Sequence, residues 1–143
     1  MRRKVASLLT AAKVLLGFGV EGRKERKAHD AATEAAEEVE KTASIVLCDY
    51  VSEEEAADMS VALYGLVFST TYDALIKRFS AKRGRFRKED LAREVSEQVA
   101  EEMEMLASII LSDYINTEEA IEAGKKVGEA VKAAVYDAFM RKN

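Results

Sequence analysis

Two groups of charged residues in this chain have types and spacings that could carry chemistry. The first is basic: Arg23, Lys24, Arg26 and Lys27, then Lys77, Arg78, Lys82, Arg83, Arg85, Arg87 and Lys88, then Arg141 and Lys142. Cations neutralise phosphates, and the interleaved Phe79 and Phe86 offer rings on which a base could stack. The second group is acidic. Glu37-x-x-Glu40 and Glu55-x-x-Asp58 each put two carboxylates on one helix face, and oxygen ligands of this kind suit a hard divalent cation. The single histidine, His29, lacks the Glu-x-x-His partner of a di-iron site and is expected at the surface. The single cysteine, Cys48, has no partner for an internal disulfide and is expected to be a small buried thiol. No Gly-rich phosphate loop, no Cys/His metal spacing and no nucleophile–base pair can be picked out.

The elements that position these residues follow from a duplication. Shifted by 64 positions without a gap, residues 87–143 lie over residues 23–79, and 21 of the 57 aligned pairs are identical. Such a register identifies one unit used twice. Ala28, Ala32, Ala35, Val39, Thr42, Val46 and Tyr50 step by fours and threes in the first copy, as do Ala92, Ser96, Val99, Met103, Leu106, Ile110 and Tyr114 in the second. That spacing predicts a helix from about Lys24 to Tyr50, and its copy, each with a bundle-facing seam. Ser52-Glu53-Glu54-Glu55 reads as a capping box and Asn116 as the equivalent cap, so second helices start at about Glu53 and Thr117 and run to about Arg78 and Arg141. Connections this short force each pair antiparallel. The expected fold is all-α: an up-down-up-down four-helix bundle of two duplicated hairpins (23–79 and 87–143), joined by a basic linker at 80–86. Residues 1–20, with Val5, Leu8, Leu9, Ala12, Leu15 and Leu16 at helical spacing, add an expected amphipathic helix, and the 143 residues form one domain.

Differences between the copies carry the functional expectation. Val61, Tyr64, Phe68 and Leu75 form an apolar stripe on the second helix of the first copy, where the second copy has Lys125, Gly128, Lys132 and Phe139. A solvated aromatic stripe calls for a cover. The N-terminal helix, a second copy of the chain, and a foreign partner or membrane surface are the candidates, and the expected protein is a homodimeric interaction or scaffold protein without cofactor. The alternative is a nucleic-acid or polyanion binder acting through Arg23, Lys24, Lys82, Arg83, Arg85, Arg87 and Lys88. Acids at helix starts and bases at helix ends follow from the helix dipole, but Arg23, Lys24, Arg87 and Lys88 stand at helix starts, where the dipole disfavours them.

A third reading is enzymatic. The pair Glu37-x-x-Glu40 and Glu55-x-x-Asp58 resembles the acidic motifs of the all-α nucleoside-triphosphate pyrophosphatase family related to MazG, and Glu54-Glu55-Ala56-Ala57-Asp58 is similar to part of its second motif. The resemblance, confined to residues 37–58, implies carboxylates on two antiparallel helices holding magnesium for phosphoanhydride hydrolysis. Measured from the turn near Val51, the two acidic pairs are offset by roughly 10 Å along the hairpin axis, whereas magnesium takes its ligands at about 2.1 Å.

Composition narrows the setting. A net charge of −4 gives no global pull toward nucleic acid. No proline interrupts the helices. One cysteine, and Lys13 breaking the apolar run after Met1-Arg2-Arg3-Lys4, lead to the expectation of a cytoplasmic chain without a signal peptide or membrane span. Scarce Asn and Gln beside abundant Glu, Lys and Arg match a thermophilic bias.

Overall fold

The computed structural model describes residues 22–81 and 87–142. The N-terminal helix expected over 1–20, and the linker residues Lys82, Arg83, Arg85 and Phe86, lie outside that range. Four helices follow one another: α1 Arg23–Leu47, α2 Glu53–Ala81, α3 Lys88–Leu111 and α4 Thr117–Lys142. Each packs on its neighbour in sequence and α4 closes onto α1, which makes a four-helix bundle with a pseudo-two-fold axis along its length.

The reversals have the same chemistry in both copies. After Leu47, Cys48 N bonds Ser44 O, Asp49 N bonds Val46 O, and Tyr50 N and Val51 N bond Leu47 O. After Leu111, Ser112, Asp113, Tyr114 and Ile115 repeat that pattern residue for residue. The next helix is then nucleated by a cap. Glu55 N donates to Ser52 Oγ at 3.1 Å while Ser52 N donates to Glu55 Oε1 at 3.1 Å, the reciprocal box expected from the sequence. In the copy, Glu119 N donates to Asn116 Oδ1 and Asn116 Nδ2 returns a bond to Glu119 Oε1, both at 2.8 Å.

The inward seam departs from the expected one in the second half of α1 and α3. Ala28, Ala32, Ala35 and Val39 are buried as expected, but the seam then runs through Ala43 and Leu47, leaving Thr42, Val46 and Tyr50 at its edge. In α3 the same drift buries Ala107 and Leu111, and Tyr114 is exposed. A straight α-helix repeats every 3.6 residues and slips about 20° per heptad against a strict 3.5 pattern, so the extrapolated positions rotate off the core. That rotation also overturns the reading of Cys48. It is exposed, on the outward line of Lys41 and Ile45.

Leu75 is likewise a core residue and not part of a surface stripe. It lies across the hairpin from the buried alanines at the start of α1, whose small side chains leave space that Leu75 and Phe79 fill. Small residues also set the approach of α4 to α3. A Cβ on Gly124 would come within 2.9 Å of the Glu104 carbonyl oxygen and 3.1 Å of Ser108 Cβ. The pseudo-equivalent seams are unequal: α1 packs more extensively on α4 than α2 does on α3.

The packing leads to three stability predictions. Gly124→Ala should cost about 1–2 kcal/mol despite the ~1 kcal/mol gain in helix propensity, because a backbone carbonyl cannot give way as a side chain can. Gly65→Ala, where an added Cβ meets nothing within 4 Å, should stabilise by about 0.5–1 kcal/mol. Thr71 is fully buried and its hydroxyl has no hydrogen-bond partner, while the second copy has Val135 there. Thr71→Val should therefore stabilise by about 1 kcal/mol. Urea unfolding followed by circular dichroism checks all three; a stable Gly124→Ala protein would mean that the helices do not approach so closely.

Candidate interaction surfaces

Three bases of the basic end, Lys24, Arg78 and Arg141, are engaged within the bundle. Lys24 Nζ donates to the Phe79 carbonyl at 3.3 Å, serving the last turn of α2. This accounts for a cation at a helix start: in an antiparallel hairpin the first turn of one helix lies beside the last turn of the other, whose carbonyls attract positive charge. Arg78 Nε lies 3.5 Å from Glu94 Oε1, and Arg141 Nη2 lies 3.1 Å from Glu34 Oε2. Phe79 is buried and packs on Phe139 with ring centroids 6.4 Å apart, so it is not a platform for a base. Arg23 and Arg87 are exposed and Lys88 is half-buried. Lys82, Arg83 and Arg85, the remaining candidates, lie outside the described residues.

The acidic pairs are not brought together. Glu55 is bound to the Ser52 cap, and Glu37 and Glu40 stand where their charges act on the Tyr64 phenol. Among the described residues no group of three or more His, Cys, Asp or Glu side chains is placed to share a metal ion. An interior gap lined by Leu47, Met59, Leu63, Ala107, Ile110 and Leu111 measures only ≈ 10 Å³ and is apolar, too small for a small-molecule substrate.

The apolar stripe of the first copy becomes an aromatic row along the outer α1–α2 groove. Val61, Tyr64 and Phe68 are half-buried. Phe68 stacks on Tyr72 with centroids 6.1 Å apart and meets His29 edge-on at 5.3 Å, so His29 is part of this row and not a free surface histidine. An 18-residue window within Glu53–Ser80 has mean hydropathy 1.3, and only 39% of it is buried. By length and composition alone such a helix could cross a membrane, as could the core helix of many water-soluble proteins.

A second apolar surface was not singled out by repeat comparison. Ile45 (74% exposed), Ile109 (59%), Met105 (56%), Tyr114 (51%) and Ile121 (47%) all lie toward the end of the bundle where the hairpins reverse. Ile45 and Ile109 are identical between copies, and identity between copies hides outward-facing residues as readily as inward-facing ones. The drift of the seam was the missing signal: it turns 45 and 109 outward as it turns 43 and 107 in. Tyr50 and Tyr114 diverge too. Tyr50 donates to Glu122 Oε1 at 2.9 Å and lies under Lys126 Nζ at 5.2 Å, tying α1 to α4. At the equivalent positions facing Tyr114 the first copy has the shorter Asp58, and Ala62 for Lys126.

Comparison with protein families, with characterised proteins and with solved structures finds no match for this chain. The likeness to the pyrophosphatase motifs therefore rests on residues 37–58 alone.

Burial raises the pKa of the Tyr64 phenol above its ordinary value, and the neighbouring Glu37 and Glu40 raise it further. Because the folded state holds that proton more tightly than the unfolded chain, the associated stability is complete below the unfolded pKa and is lost as pH rises through the folded one. Tyr64→Phe should flatten the fall in stability as pH rises above about 10, the ordinary tyrosine value, measured by urea unfolding at a series of pH values. An unchanged slope would place the phenol in water.

Proposed function

We propose that the protein is a non-enzymatic interaction module that works as a homodimer, each copy covering the other's aromatic row on α2. The observation that carries this reading is α2 itself. It is the most apolar of the described helices, yet less than half of its most apolar window is buried. Contiguous apolar surface of this kind on a soluble chain marks an interaction site. The divergence of the copies supports it, since Lys125, Gly128 and Lys132 occupy in α4 the places of Val61, Tyr64 and Phe68. On α4 the two lysines are exposed and Gly128 lies against α3, so the aromatic row belongs to the first hairpin alone.

Polyanion binding is the second reading, favoured by Arg23 and Arg87, which stand exposed at the same end of the bundle without an ion pair among the described residues. The engagement of Lys24, Arg78 and Arg141 within the bundle weakens it.

Sedimentation equilibrium tests the dimer. The wild-type chain should reach twice the monomer mass of 15.8 kDa at micromolar concentration. Val61→Lys/Phe68→Lys, which installs the residues of the second copy, should weaken association by about tenfold or more. A wild-type chain that stays monomeric overturns the reading.

A further inference from the structure

The outer groove between α3 and α4 carries a site of different chemistry. It opens beside Glu101, Glu104, Met105, Ser108 and Ile121 with a volume of ≈ 310 Å³. Its form follows from the glycine contacts: Gly124 and Gly128 bring α4 against α3 at Ala100, Glu104 and Ser108, leaving the larger Met105 and Ile121 standing on either side of the closed seam. Ile109 continues the apolar line one turn beyond Met105. Glu104 and Ser108 thus lie at the seam and Met105 and Ile121 form apolar shoulders beside it, and a methionine side chain adapts to partners of varied shape.

The rim is acidic. Glu101 and Glu104 line the groove, Glu102 follows Glu101 on α3 and Glu118 stands just before Ile121 on α4, whereas Glu122 is engaged with Tyr50 of α1. Glu101, Glu102, Glu104 and Glu118 make no ion pair among the described residues. The nearest cation on α4, Lys125, stands a turn beyond Ile121, and Lys132 beyond it lies 3.9 Å from Glu97. Apolar shoulders bordered by carboxylates that have no ion pair among the described residues are complementary to one kind of segment: a helix with an aliphatic stripe and Lys or Arg on its flanks.

We propose that the α3–α4 groove at the reversal end is a docking site for a basic amphipathic helix of a partner protein. It rests on the reading of the chain as an interaction module, but it uses the hairpin opposite the aromatic row, so one chain can hold its second copy and a partner together.

The test is fluorescence anisotropy of a labelled model peptide of ~18 residues, about five helical turns, with a Leu/Ile stripe flanked by Lys. A control peptide carries Glu in place of Lys. The full-length wild-type chain should bind the basic peptide, more weakly as salt rises, and leave the acidic peptide free. Glu101→Lys/Glu104→Lys, and separately Ile121→Asp, should each weaken binding by about tenfold or more. Ile45→Asp, an exposed position on α1 and so outside the α3–α4 groove, should change it by less than about twofold. All four substituted side chains are at least partly exposed, and circular dichroism melts confirm that the variants fold. Equal binding of both peptides, or equal loss in Ile45→Asp and Ile121→Asp, overturns the proposal. So does an affinity that falls as protein concentration rises, which would put a second copy in the groove. Sedimentation of the groove variants separates the two readings: they should dimerise like wild type, and a loss of dimer would assign the groove to self-association instead.

Discussion

Both hairpins depend on one reversal, made twice with the same backbone bonds after Leu47 and after Leu111 and stopped each time by a side-chain cap. Because so few residues intervene, the partner helices must run antiparallel, and each helix start lies beside a helix end. Much of the charge pattern is a consequence. Acids gather where α2 and α4 begin, bases where they end, and Lys24 is explained by the α2 carbonyl it reaches, not by the helix it begins. A pattern that looks like a binding stripe in linear sequence is in large part the bundle completing its own termini.

Duplication then lets the two hairpins drift apart. In the first, Tyr64 and Phe68 stand out from α2 along its groove with α1; in the second, Gly128 and Gly124 let α4 settle against the α3 backbone. Bulk on one side and its removal on the other produce two unlike grooves from one inherited hairpin. The first is aromatic and half-covered, the second mixes Met105 and Ile121 with Glu101, Glu104 and Ser108. The chain gains two unlike faces by this route from one inherited unit.

Among the described residues, the number and order of the helices, their capping residues and their boundaries within a few positions were legible in the sequence, because capping and heptad-like spacing are local. Leu75, Cys48, Tyr114 and His29 were not. Each depends on a rotation of tens of degrees that accumulates along a helix, or on what stands opposite it in the neighbouring one. The alanines of α1 that make room for Leu75 are some forty residues away in sequence. Of the candidate surfaces, the Val61–Tyr64–Phe68 stripe could be read by setting one copy against the other. The α3–α4 groove could not: Ile109, Glu101, Glu102, Glu104 and Glu118 are shared with the first copy, and the residues that differ there, Met105 for Lys41, Ile121 for Ala57, Gly124 for Ser60 and Gly128 for Tyr64, are split between two helices.

The unequal seams give the bundle a direction of weakness. Tyr50 and Glu122 pin α1 to α4, while the contact of α2 with α3 is thinner and its counterpart tyrosine, Tyr114, points into solvent. Thermal fluctuations will part the weaker seam first, swinging the two hairpins like covers about a spine formed by α1 and α4. The helix uncovered by that motion is α2, the one richest in apolar side chains.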